Sequence, residues 1–383
     1  MKKFKRVFSI ALSAAMVLAL TACGGSKAPA DEFAIGGMGP LSGDAAIYGT
    51  AVQRGIELAV EEINAAGGVN GYKMCFNFQD DECDAEKSVN AYNVVKDWGA
   101  DLIIGAVTSG CSIAVSGETY ADNMFQLTPS GSAVECAQYD NAFRVCFSDP
   151  NQGAASAQYI GENKLASKVA VIYDSSSVYS SGIYDSFKKA AADYDFEIVA
   201  AEAFTEGSAT DFTVQLQKAK DAGADMVFLP IYYKESALIL AQADNMGYKP
   251  SYFSCDGMDG ILTVENFDVK LAEGVMLLTP FAADAKDDLT VKFVSAYQSK
   301  YNEVPNQFAA DAYDAVYAVK AALEQANATP DMAASDLCNL LKAAMVEISI
   351  DGLTGTGMTW DAAGEPNKAP KAVKIVKGVY TAM

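Results

Sequence analysis

Histidine is missing altogether from the 383 residues. That absence excludes Ser-His-Asp and Cys-His nucleophile systems, histidine-ligated zinc or haem, and any imidazole acid–base step. Basic residues are scarce too. The 28 Lys plus Arg stand against 49 Asp plus Glu, for a net charge of −21 and a pI near 4.3, a surface that repels nucleic acid. No Cys-x-x-Cys pair occurs, so a zinc site has neither of its usual ligand patterns. No Gly-x-x-x-x-Gly-Lys-Ser/Thr phosphate loop and no Gly-x-Ser-x-Gly elbow is present. No stretch reaches eighteen consecutive apolar residues, the length a membrane span needs. Neither a metal nor a cofactor is expected, and the carboxylates include no pair that stands out as a glycosidase would require.

What is present is an ordinary globular composition, 51% apolar and 20% charged, long enough for two domains with their own cores. The chain opens with a basic head, Lys2, Lys3, Lys5 and Arg6, and an apolar run from Val7 to Leu20. As a helix that run rises only about 21 Å, short of a hydrocarbon core, so residues 1–22 read as a signal peptide. It ends in Leu20-Thr21-Ala22-Cys23-Gly24, which resembles a bacterial lipobox; the resemblance implies a lipid on Cys23 and a flexible tether over 23–32. Loss of residues 1–22 removes four basic groups and no acidic one, leaving 24 against 49 and a net charge of −25, spread along the chain as a solvated surface.

From Phe33 onward short apolar runs alternate with helical patterns. Leu102–Ile104, Val169–Tyr173, Met226–Leu229 and Val275–Leu278 read as strands buried on both faces. Between them lie amphipathic helices: Val52, Ile56, Val60 and Ile63 form one stripe, and Asp211 is the expected N-cap of a helix through Ala219. This alternation predicts an α/β fold with doubly wound parallel sheets. Gly99-Ala100-Asp101 and Gly223-Ala224-Asp225, 124 residues apart, each precede an apolar strand, which suggests two related lobes. Ligands bind beyond the carboxyl ends of such strands, so two facing lobes predict a site in the cleft between them.

Gly36-Gly37-Met38-Gly39-Pro40-Leu41-Ser42-Gly43 tempts a dinucleotide reading, but the third glycine of that fingerprint falls on Ser42 and Pro40 has no N–H for a pyrophosphate. Gly39-Pro40-Leu41-Ser42-Gly43, Tyr48-Gly49, the run from Glu62 to Gly71 and Asp80-Asp81 instead resemble the opening of the leucine/isoleucine/valine-type solute-binding proteins of ABC importers. The resemblance is strongest over 34–150 and looser after about 285. It implies the type I periplasmic-binding fold, with three crossings between lobes near Asp149, Pro280 and Thr356. One lobe would then hold 33–149 and 280–355, the other 150–279 and 356–383.

The family's ligand positions carry over residue by residue. Ser109 in the loop after the strand ending at Gly105, and Ser130 and Ser132 after Phe125-Gln126-Leu127, match positions that hold an α-carboxylate with hydroxyls and helix N-termini; ordinary helix capping is the plainer reading of the same serines. Asp256 matches the acid set against the ligand's ammonium, with a simple Asp-Gly turn as its alternative. Tyr48, Tyr179 and Tyr232 match aromatic walls. Lys234 and Glu235 read as a solvated pair, and Asp80, Asp81, Glu82 and Asp84 as a polar loop lacking the EF-hand spacing. Seven cysteines follow Cys23. Export favours disulfides. A bridge near Cys83 and Cys111 resembles one in relatives, although there the second cysteine would fall at Thr108; Cys136 and Cys146 flank a short loop, and an odd thiol remains.

The resemblance thus implies a lipid-anchored extracytoplasmic solute-binding protein, with no enzymatic activity. It would capture a small aliphatic amino acid and deliver it to an ABC permease and its ATPase, touching the membrane through the lipid alone. A ligand-sensing receptor component built on the same lobes is the alternative.

Overall fold

The computed structural model describes residues 27–206 and 210–383; the signal segment and Cys23 lie outside them. The last part of the expected tether is not free. Ala28 N donates to the Trp98 carbonyl at 2.8 Å, and Glu32 already begins the first strand.

The first sheet is built in chain order from β1 (Glu32–Gly39), α1 (Ala46–Ala65), β2 (Lys73–Asp80), α2 (Ala85–Trp98), β3 (Leu102–Gly105), α3 (Ser109–Ala121), β4 (Gln126–Thr128) and β5 (Ala142–Arg144). Its five strands are all parallel and run in the order β2-β1-β3-β4-β5. The chain then builds α4 (Asp149–Glu162), β6 (Lys168–Asp174), α5 (Val178–Ala191), β7 (Glu197–Phe204), α6 (Thr213–Asp221), β8 (Met226–Leu229), α7 (Tyr233–Asn245), β9 (Ser251–Ser254) and β10 (Met276–Thr279). It returns to the first sheet with α8 (Asp288–Tyr301), α9 (Gln307–Gln325) and α10 (Ala334–Met345) and closes with β11 (Lys371–Val376) and β12 (Val379–Ala382). The second sheet runs β12-β11-β10-β9-β8-β6-β7. Its first five strands in chain order repeat the order of the first sheet. β11 and β12 join antiparallel, through a two-residue turn at Lys377-Gly378 with positive φ at both positions, the geometry that suits a tight hairpin.

The repeated Gly-Ala-Asp has a concrete job. Gly99 and Gly223 end α2 and α6 with φ of +109° and +73°, a conformation that side chains resist. Each aspartate then clasps the start of its lobe's first strand, β1 or β6. Asp101 N donates to the Ala34 carbonyl and its Oδ2 accepts from Ala34 N at 2.7 Å; Asp225 N donates to Lys168 O and its Oδ1 accepts from Lys168 N at 3.0 Å. The two turns set the same strand register in the two lobes.

The β1 glycines serve packing rather than a cofactor. A Cβ on Gly37 would lie 2.5 Å from the Phe78 ring, and one on Gly36 2.8 Å from Val95. The stripe Val52, Ile56, Val60 and Ile63 is buried as expected, and α1 packs along α9, where Tyr313 Oη donates to Glu62 at 2.6 Å. Two local expectations shift. Phe212, not Asp211, is the N-cap of α6, with Asp211 accepting from Thr213 N one step earlier. The third crossing also moves. Trp360 Nε1 donates to Arg144 O at 2.7 Å and Arg144 N donates to Gly364 O at 3.0 Å, so residues 358–368 stay with β5 and the chain joins the second sheet only at Lys371, not near Thr356. A glycine-rich stretch marked a bend there, but the partners of Trp360 lie over two hundred residues away and leave no local trace.

Candidate functional site

The switch points lie between β1 and β3 in the first sheet and between β6 and β8 in the second, where the connections on the two sides leave toward opposite faces. The helices that follow the carboxyl ends of β1, β3, β6 and β8 are α1, α3, α5 and α7, and their first turns or caps bring Tyr48, Ser109, Tyr179 and Tyr232 together. With Val107, Thr108, Ser130, Asp256, Gly257 and Phe308 they line one interlobe cavity. Six of the seven expected ligand residues thus meet at one place. Ser132 does not reach the wall; it stands behind it, beside the carboxyl of Asp149.

On the first-sheet side two loops are stitched to each other. Ser130 Oγ donates to Val107 O at 2.7 Å, Thr128 Oγ1 to Ala106 O at 2.7 Å, and Ser109 Oγ accepts from Ser132 N and Ala133 N at 3.2 Å. Arg144, wholly buried, donates to the carbonyls of Gly131, Ser132 and Val134. The serine hydroxyls therefore fix the loop shapes first. What faces the cavity is the N-terminus of α3, a place that suits a carboxylate, with the Ser109 proton and the Ser130 lone pairs left over.

On the second-sheet side Asp256 is only 4% exposed. Its Oδ1 accepts from Tyr179 Oη at 2.7 Å, and its N donates to Gln152 Oε1 at 3.2 Å. Burial pushes its pKa up to about 7 against these hydrogen bonds, with Asp311 adding to the rise. Tyr179 Oη also accepts from Gly257 N at 2.9 Å, and a Cβ on Gly257 would sit 2.6 Å from that oxygen, so only glycine allows the contact. Three tyrosines and a phenylalanine make the walls. Tyr48 lies 4.3 Å from the Phe308 ring and 5.3 Å from Tyr232, and Tyr179 lies 5.0 Å from Tyr232. Tyr48 Oη donates across the cleft to Gly257 O and accepts from Tyr233 N at 3.3 Å. Gln307 Nε2 donates to Asp256 O at 2.8 Å. These bonds span the lobes and leave a cavity of about 10 Å³, room for a single water, so the lobes must part before any amino acid enters.

Phe308, Gln152 and Gln307 escaped the sequence reading. Each lies in a helix whose burial pattern looks like core, and only the fold brings them to the cleft. Asp149 was read as a crossing alone. It is 1% exposed, neither oxygen makes a well-formed hydrogen bond, and burial raises its pKa well above the carboxylate range against the nearby Ser132 hydroxyl.

Asp80 and Asp81 organise their loop, accepting from Leu41 N at 2.8 Å and Ser88 Oγ at 2.9 Å, and no metal-holding group of side chains occurs among the described residues. Lys234 pairs with Asp44 rather than Glu235. All seven described cysteines are free thiols, so neither expected bridge is formed; Cys136 Sγ is turned instead to Ser109 O. Cys83 and Cys111 do face each other, and their contact lowers the Cys83 pKa.

The profile of the family described as periplasmic binding protein matches residues 32–378. The chain belongs to that family. This binding protein is 32% identical over 306 residues to a Leu/Ile/Val-binding protein homolog of Brucella melitensis, covering 79% of this chain and 82% of that one. It is 29% identical to the leucine-, isoleucine-, valine-, threonine- and alanine-binding protein of Pseudomonas aeruginosa, over 80% and 82% of the two chains. The crystal structure of LivJ from Streptococcus pneumoniae, a branched-chain amino acid transporter substrate-binding protein in complex with isoleucine, superposes with a TM-score of 0.83 at 30% identity, over 92% of this chain and 98% of that one. The binding protein is thus a non-enzymatic solute binder of the ABC-transporter type. Its family places it outside the cytoplasm, and among the described residues no helix is long and apolar enough to cross a membrane.

Proposed function

We propose that the cleft captures a small aliphatic amino acid of the leucine, isoleucine or valine type for delivery to an ABC permease and its ATPase, from a site near the membrane where a lipid on Cys23 holds the chain. One observation carries the ligand class. A buried carboxylate, Asp256, lies across the cavity from the N-terminus of α3 and the Ser109 and Ser130 hydroxyls, with aromatic rings between, an arrangement matched to an ammonium, a carboxylate and an apolar side chain. The names of the relatives point the same way. A thermal-shift screen over amino acids tests the reading: a ligand at 100 times its Kd adds about 2.7 kcal/mol to stability. A flat response to every amino acid overturns it.

Ser130→Ala is expected to weaken the best ligand by about 0.5–1.5 kcal/mol in a calorimetric titration, because the loops lose one stitch while the helix N-terminus stays in place. A loss of several kcal/mol would mean that the hydroxyl itself holds the carboxylate.

Hinge closure belongs to the same proposal. The lobes are 33–149 with 280 to about 370, and 150–279 with 371–383. Solution scattering should show a smaller radius of gyration with ligand than without, and identical profiles would argue for a rigid cleft. In an oxidising compartment Cys83 and Cys111 are the pair placed to close. Titration of the denatured oxidised chain from Lys27 onward should then find two thiols fewer than the reduced chain.

A further inference from the structure

The geometry points to a second binding site, outside the cleft, for a small organic ammonium ion with an apolar body. A groove of about 560 Å³ lies between the lobes and shares no lining residue with the cleft cavity. That is the size range of small-molecule sites. One wall comes from α1 and the turn before α9, with Thr50, Arg54 and Pro305; the other comes from the 259–263 turns and the β11–β12 hairpin, with Leu262, Val379 and Tyr380.

The lining carries three charged side chains, and two of them match each other. Arg54 donates to Glu303 at 2.5 Å and lies over the Tyr301 ring at 5.0 Å. The third is Asp259. It is 4% exposed, its Oδ2 accepts from Gln307 N at 2.9 Å, and its Oδ1 makes no well-formed hydrogen bond. The Tyr380 hydroxyl stands near enough to favour the carboxylate, yet burial wins and the pKa is pushed up to about 6. No cation among the described residues pairs with Asp259. A zwitterion would need a free cationic partner as well, and Arg54 is taken; a cation alone completes the groove. An ammonium would give the buried carboxylate its missing counter-charge while an apolar body covers Ile47 and Leu262.

The test uses the purified chain and calorimetric titration with cyclohexylmethylammonium, with cyclohexylmethanol as the uncharged analogue. Saturable 1:1 binding of the ammonium is expected, with the alcohol weaker by about tenfold or more. Asp259→Asn keeps the acceptor for Gln307 N and should weaken the ammonium by a similar factor. Thr50→Trp fills the groove from α1 and should abolish binding, so the site stays testable if Asp259→Asn folds poorly. The proposal is overturned by no binding, by equal affinity for the alcohol, or by an unaffected Asp259→Asn or Thr50→Trp, which would put the ammonium outside the groove. Failure of the amino-acid reading shows separately, in wild-type titrations with amino acids.

Discussion

Asp256→Asn should remove most of the affinity for an aliphatic amino acid, by about 2–5 kcal/mol or roughly 30- to several-thousand-fold. The substitution keeps the shape and an acceptor for Tyr179 Oη but deletes the only counter-charge proposed for a buried ammonium. A structural Asp-Gly turn predicts the opposite, since asparagine suits such turns and binding would survive. In an open cleft the Asp256 carboxylate is hydrated and neutral for stability. In the closed arrangement it is desolvated, with its pKa raised from 3.8 to about 7. For an acid raised in this way, the closed state is unpenalised below about pH 4 and loses stability as pH rises toward 7, by about 4 kcal/mol at most. Above pH 7 the unliganded cleft therefore relieves the cost by opening to water, and a ligand ammonium reverses it. The charge that recognises the ligand also opposes closure without it. Affinity should fall as pH drops below about 7, with a proton released on binding. Ligand-free Asp256→Asn should scatter as a compact, closed particle at pH 8, where the wild type is open. Unchanged affinity in the variant would remove both the amino-acid assignment and this account of closure.

Strand alternation and the paired Gly-Ala-Asp turns made the two-lobe architecture readable, because both are local. Apolar runs of four or five residues need burial on both faces, and a glycine stop followed by an aspartate needs a neighbouring strand to clasp. The cleft was legible where its residues sit in first turns after strands, as Tyr48, Ser109, Tyr179 and Tyr232 do. It failed where a role depends on distant partners. Ser132 carries the same residue type two positions from Ser130, but the loop turns it behind the wall toward Asp149. The sequence offers ligand contact or helix capping for the serines; it does not show that the bonds of Ser130 and Ser109 run to Val107 O and to the N–H groups of Ser132 and Ala133. Asp149, placed by the sequence only at a crossing, is buried, and so is Lys368, which no motif singles out. Nothing in a sequence window of a few residues carries that information.

Lys368→Met should destabilise the protein by about 3–5 kcal/mol at pH 8, the usual cost of leaving one member of a buried pair alone. Lys368 Nζ lies 2.5 Å from Asp311 Oδ1 and 3.0 Å from Val145 O, with both side chains essentially inaccessible. Val145 sits just before the first crossing, Asp311 on α9, and Lys368 just before the third, so this one ammonium ties two of the crossing strands to the body of the first lobe. Burial raises the Asp311 pKa, and Lys368 is the largest influence opposing the rise. Without that cation the carboxyl is pushed further up. Its contribution to stability is then present at low pH and lost as pH rises from about 4 toward its new folded value. The defect should accordingly be small at pH 5 and full at pH 8, read as urea midpoints at the two values. Lys368→Met combined with Asp311→Leu should recover most of the loss, since apolar pairs replace buried ion pairs at little cost. A defect equal at both pH values, or no recovery in the double variant, would show that Lys368 acts through packing of its stem and that the hinge is held by other contacts.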